Sequence, residues 1–120
     1  MGHNLKIVNS SGATIAERVV HARSWWARAR GLLGRKAMQS GEALLIEPCS
    51  GVHTFGMAFP IDVVFLSSDW TVLHLVHAMR PWRISRYLSK ARSVLELPAG
   101  TLERTQTAVG DRLHLEGCQD

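Results

Sequence analysis

The sequence predicts a mainly β (α+β) domain: a small antiparallel sheet or partly closed barrel of seven to eight short strands, with one α-helix packed on it. Short apolar or β-branched runs recur along the chain, separated by turn residues at hairpin-like spacing. Residues 24–34 are the one stretch with a convincing helical period. The chain has 120 residues, 46% of them hydrophobic and 20% charged, which suits a single domain over 1–120. A chain of this length buries roughly two thirds of its unfolded surface.

The elements follow in order. Leu5–Val8 and Ile15–Val20 flank the turn Asn9-Ser10-Ser11-Gly12, so the chain opens with a hairpin. In "SWWARARGLLG", Ser24 offers an N-cap. Trp25, Trp26, Ala29, Leu32 and Leu33 share an arc about 120° wide. Gly31 and Gly34 end this helix, and Arg30, Arg35 and Lys36 lie where positive charge suits its dipole. Leu44–Ile46 is a strand stopped by Pro48, and Val52–Phe55 is another. Phe59 precedes proline and is expected to be extended. Ile61–Leu66 is apolar except for Asp62. Thr71–Met79 follows the turn Ser67-Ser68-Asp69, and its apolar residues on both faces from Val72 to Val76 predict a central strand. Residues 81–90 read as a basic, aromatic loop. Ser93–Leu97 is a strand closed by Pro98, Ala99–Arg104 a single helical turn, and Arg112–Glu116 a last strand with Leu113 and Leu115 inward.

Composition bounds the function. No apolar run reaches the roughly 18 residues of a membrane span, and residues 1–20 show no export-signal pattern, so a cytoplasmic location is expected. Two cysteines, Cys49 and Cys118, do not make a disulfide framework; they are expected to be reduced, and a bridge between them only if the protein is exported. The net charge of +4 is mildly basic and weighs against a dedicated nucleic-acid binder.

The stretch "CSGVHTFGMAFPIDVVFL", residues 49–66, places Cys49, His53 and Asp62 inside an apolar run. One use is nucleophilic or redox chemistry, with Cys49 as nucleophile, His53 as base and Asp62 orienting the imidazole. No nucleophile signature surrounds Cys49, and the bland alternatives are a small buried thiol, a histidine bonded to a strand end, and an aspartate accepting backbone N–H bonds. A metal is not expected: paired short spacings such as Cys-x-x-Cys are missing, and His74 and His77, three apart on a strand, point to opposite faces. No cofactor is expected either. Phe55, Met57 and Phe59 fall at period two and would share one face of an extended segment. Arginines and aromatic residues cluster twice: Arg23, Trp25, Trp26, Arg28, Arg30, Arg35 and Lys36, and then Arg80, Trp82, Arg83, Arg86, Tyr87 and Lys90.

Three blocks, "RARGLLGRK", "VHTFGMAFPIDVVFL" and "SVLELPAG" followed by "VGDRL", together resemble the domain of unknown function 192 family. They occur in that family's order and cover about residues 5–115. The resemblance implies a small β-rich bacterial or archaeal domain with one prominent helix, and it supplies no mechanism. Where the subgroup it resembles typically has a basic residue after Met57, this chain has Ala58, which would weaken an anion site shared with those relatives.

The leading reading is a binding or interaction module for a small molecule or protein, with a cleft near residues 53–62. Its candidate ligand-binding residues are Arg30, Arg35, His53, Phe55, Met57, Phe59 and Asp62. The alternatives are a cysteine-dependent enzyme or redox protein using Cys49, His53 and Asp62, and a weak binder of nucleic acid or another anion through the Arg/Trp clusters.

Overall fold

The computed structural model describes residues 3–22 and 35–119, and the side chains of residues 6–22 and 35–117. Within them the chain forms β1 (His3–Val8), β2 (Thr14–Ala16), β3 (Arg18–Ala22), β4 (Glu42–Ile46), β5 (Ile61–Leu66), β6 (Val72–Met79), β7 (Ser93–Pro98), α1 (Thr101–Thr105) and β8 (His114–Gln119). The helix expected over 24–34, with its tryptophans and Arg30, lies outside the described residues.

Two sheets result, ordered β2-β1-β8 and β3-β4-β7-β5-β6, and they do not close into a barrel. The mainly β class is therefore observed. Pairing is antiparallel except between β3 and β4, which run parallel from Arg18↔Glu42 to Ala22↔Ile46.

The opening hairpin forms as expected. Asn9 organises its turn: buried Oδ1 accepts from the Ser11 and Ala13 amides at 3.1 and 3.0 Å, while Nδ2 donates to the Thr105 carbonyl at 3.0 Å. The run Ile15–Val20 is not one strand. It breaks at Glu17, where the amides of Glu17 and Arg18 both donate to the Gly41 carbonyl at 2.8 and 2.9 Å. The chain leaves the three-stranded sheet there and enters the five-stranded one.

The central strands are β5 and β7, not β6. All six residues of β5 are buried, which is why its run is apolar on both faces. Residues 72–76 misled because β6, although an edge strand, is covered on both sides: Leu75 packs on one core cluster and Leu73 and Val76 on the other. The two clusters lie on opposite faces of the five-stranded sheet. The first joins the sheets, with Ile7 and Ile15 meeting Val64, Leu66, Leu95 and Leu97, closed by Leu102 of α1. The second holds Leu44, Ile46, Ile61, Val63, Phe65 and Val94, and is covered by loop residues Met57, Phe59 and Ala91. The last strand begins at His114, so Leu113, just before it, is buried while Leu115 within it is exposed, contrary to the alternation expected over Arg112–Glu116.

Candidate functional site

Two loops cover the second face of the large sheet. Residues 47–60 leave β4, and residues 80–92 leave β6. They run antiparallel to each other over a short distance. The Thr54 amide donates to the Arg83 carbonyl at 2.9 Å, the Ser85 amide to Val52 at 2.9 Å, and the Leu88 amide to Ser50 at 3.0 Å. The strand expected at Val52–Phe55 is reduced to this pairing, with a single bridge between His53 and Ile84. Thr54 is the clamp. Its buried hydroxyl donates to the Arg80 carbonyl at 2.6 Å and accepts from the Arg83 amide at 2.9 Å. Gly51 permits the close approach, since a Cβ there would stand 3.4 Å from the Arg86 carbonyl oxygen.

Between the loops lies an open cleft of about 550 Å³, lined by residues 48–53, Phe55, Ile84, Ser85 and Tyr87. Three rings stand in a row at its edge. His53 and Phe55 have centroids 4.9 Å apart, and Phe55 and Trp82 are stacked at 6.0 Å. Apolar surface that burial would ordinarily hide is left open here: Trp82 is 64% exposed, Ile84 71% and Tyr87 75%. Trp82 also holds φ at +64°, a left-handed backbone rare outside glycine, with its amide tied to the Thr54 carbonyl at 3.0 Å. It follows Pro81 in a turn, at the position where a type II turn ordinarily takes glycine.

The charge around the cleft has one dominant sign. Arg80, Arg83, Arg86, Lys90 and Arg92 belong to the second loop, all exposed. No Asp or Glu occurs in residues 48–61 or 70–95. Glu47, at the margin, meets His21 at 3.0 Å and Arg92 at 3.9 Å. His74, under this loop and against the Phe65 ring, has its pKa lowered by burial and then by Arg86.

The structure gathers some of the sequence candidates and disperses others. Cys49 and His53 line the cleft with Phe55. The Cys49 thiol, half-buried, donates to the Gly51 carbonyl at 3.1 Å. His53 Nδ1 accepts from the Phe55 amide at 3.3 Å. Asp62 is not with them. It lies on the opposite face of the sheet, fully buried, and accepts from the amides of Ala78 at 2.8 Å, Gly100 at 3.1 Å and Leu102 at 2.9 Å. It braces the kink of β6 at Ala78, where φ is +48°, against the start of α1, so the Cys-His-Asp triad is not assembled. Met57 and Phe59 are buried pillars beneath the loop, while Phe55 surfaces; Gly56, at φ +79°, breaks the extended geometry that would have aligned all three. Arg35 is engaged elsewhere, donating to Glu42 Oε1 at 2.7 Å, and that hydrogen bond holds the Glu42 carboxyl below the usual range. Arg30 lies outside the described residues.

Sequence reasoning overlooked two residues. Thr54 stands between His53 and Phe55 in a mostly apolar run, where a hydroxyl is a signal in itself. Glu96, in the middle of β7, was passed over as part of a strand. It is 5% exposed and paired in register with Leu44 and Val63, and burial pushes its carboxyl up to about 7.

Among the described residues no group of three His, Cys, Asp or Glu side chains is placed to hold a metal ion, and no helix is long and apolar enough to cross a membrane.

Comparison with known proteins agrees over nearly the whole chain. The profile of the DUF192 family, described as "Uncharacterized ACR", matches residues 6–115. A UPF0127 protein of the archaeon Pyrococcus horikoshii is 34% identical over 113 residues, spanning 89% of this chain and 96% of its own. Two crystal structures share the architecture. One, a protein of unknown function from Novosphingobium aromaticivorans, has a TM-score of 0.79 at 20% identity, covering 92% of this chain and 83% of its own. The other, from Sinorhizobium meliloti and described as a "putative transcription regulator", has a TM-score of 0.77 at 27% identity, covering 97% and 94%. The chain belongs to the DUF192 family, grouped with the UPF0127 proteins, whose biochemical role is uncharacterised.

Proposed function

We propose that this protein is a small binding module whose site is the cleft between residues 48–55 and 84–87, and that its ligand is an anion carrying a flat or apolar group. The observation that carries the reading is the coincidence of exposed rings and unopposed positive charge. Rings at His53, Phe55 and Trp82 form a row beside a loop with five cations and no acid. A flat apolar group gains by covering exposed rings, and a clustered positive field attracts an anion and speeds its approach. The loops are held by backbone pairing and by Thr54, so the site is largely formed before a ligand arrives. Catalysis draws less support, because the carboxylate that would orient His53 is spent on three amides across the sheet.

The test uses 2-naphthalenesulfonate as an anionic flat probe and 2-naphthalenemethanol as its neutral counterpart, each titrated into ¹⁵N-labelled protein. The sulfonate is expected to shift the amides of residues 50–55 and 82–88 and to bind more tightly than the alcohol. Shifts confined to other surfaces, or equal affinity for the two probes, would defeat the reading.

A further inference from the structure

Resting on that binding site, we infer that its ligand is a single-stranded nucleic acid, held by stacking of bases on Trp82 and Tyr87 and by contacts of Arg83, Arg86 and Lys90 with phosphates. Base–aromatic stacking tolerates any sequence because every base has a π-face, and single-strand sites combine such platforms with a basic track for the backbone. Both parts are present. Trp82 and Tyr87 are 64% and 75% exposed and belong to the same short loop, with cations before, between and after them. The Trp82 ring is backed by Phe55, at 27° between planes, and Phe55 in turn by His53, so one face is supported from behind.

The backbone at Trp82 points the same way. A left-handed φ of +64° is costly for any residue with a Cβ, and glycine would fill the position without strain. An indole is instead held outward there by the Thr54 clamp. Burial does not explain the tryptophan, because the ring is largely in solvent. A stacking platform does.

Other anionic partners fit less well. An acidic peptide would satisfy the cations but would leave the spaced ring faces without flat partners. A duplex would need an α-helix or β-ribbon to enter its major groove, and this face presents only loops. The total charge of +4 understates the local field, because the cations of residues 80–92 are gathered while the acids lie elsewhere. Three phosphate contacts, one for each of Arg83, Arg86 and Lys90, give a site a few nucleotides long, with a salt slope near −2.

The experiment measures fluorescence anisotropy of 5′-fluorescein-labelled dT8 with the whole protein, alongside ¹⁵N amide shifts. Competitors are an abasic oligomer with the same phosphates and an oligoglutamate. Variants are Trp82→Gly, which suits the backbone and keeps the loop, Tyr87→Ala, and the pair Arg83→Glu/Arg86→Glu, each checked by thermal melting. Expected are binding by dT8 that shifts residues 53–55 and 82–87, and a loss of roughly 5- to 150-fold in Trp82→Gly. Affinity should fall roughly 15–20-fold between 50 and 200 mM salt. If the abasic oligomer or oligoglutamate matches dT8 and Trp82→Gly binds normally, the nucleic-acid inference fails while the anion-binding reading stands. If dT8 and the naphthalenesulfonate both leave the cleft unshifted, both fail together.

Discussion

The two faces of the five-stranded sheet are built from the same strands and finished in opposite ways. On one face the three-stranded sheet and α1 close over Val64, Leu66, Leu95 and Leu97. Asp62 there takes three amides and Asn9 bridges its own turn to residues 105 and 107, while the buried Ser93 hydroxyl on the same face has no hydrogen-bond partner among the described residues. On the other face two loops close over Ile61, Val63, Phe65 and Val94, leaving rings and cations in solvent and a carboxylate, Glu96, in the interior. Asp62 and Asn9 tie the first face to the elements that close over it. Exposed apolar groups and a carboxyl that burial pushes up to about 7 mark the other face, where the proposed site lies. A residue's chemistry in the sequence did not tell the two apart; its side of β5 did.

The largest expected effect falls on the scaffold face. Asp62→Ala leaves three amides without their acceptor, at a cost of about 3–5 kcal/mol. Urea denaturation measures it, and a cost below 1 kcal/mol would mean that the brace is dispensable. Next comes Glu96, where the sign follows from linkage. Its folded pKa of about 7 lies above its ordinary value of 4.5, so its contribution to stability is greatest below 4.5 and is lost as pH rises through 7. The difference of about 2.5 units corresponds to about 3 kcal/mol. Glu96→Gln should therefore flatten the decline in unfolding free energy between pH 5 and pH 8; an unchanged slope would show that the carboxyl titrates normally.

Smaller effects are expected within the loops. Thr54→Val removes the clamp on residues 80–83 and costs about 1–2 kcal/mol. Hydrogen exchange at the Arg83 amide should accelerate more than exchange in β5, and uniform acceleration would argue against a local clamp. Smallest is Cys49→Ser, which should leave binding of the naphthalenesulfonate within about twofold, because the thiol only lines the cleft and the proposed site binds through its rings and cations. A loss above tenfold would return the cysteine to the centre of the site.

Much of the fold was legible because burial writes itself into apolar runs. Ile61–Leu66 could be read as a strand because both of its faces are covered, and the hairpin turn at Asn9 carried its own side-chain logic. Long-range events were not legible. The break at Glu17 is made by the carbonyl of Gly41, and nothing near Ile15–Val20 announces it. Residues 80–92 have no period because Thr54 and residues 50–52, far away in sequence, set their path. At the site, Cys49, His53 and Asp62 looked like neighbours because they are close in sequence. The chain passes from the covered loop into β5 between His53 and Asp62, and alternation then turns Asp62 to the opposite face. Phe55, Met57 and Phe59, grouped by period two as one face, are separated by the turn at Gly56, so that Phe55 surfaces and the other two are buried.

One comparison tests the asymmetry of the two faces most directly. Arg83→Glu/Arg86→Glu and Arg104→Glu/Arg112→Glu change the net charge equally, the first pair beside the cleft and the second away from it. Affinity for the naphthalenesulfonate, measured for both by the same amide titration, is predicted to fall at least tenfold in the first variant and less than twofold in the second. Equal losses would mean that only the overall charge matters, and would contradict a binding site between residues 48–55 and 84–87.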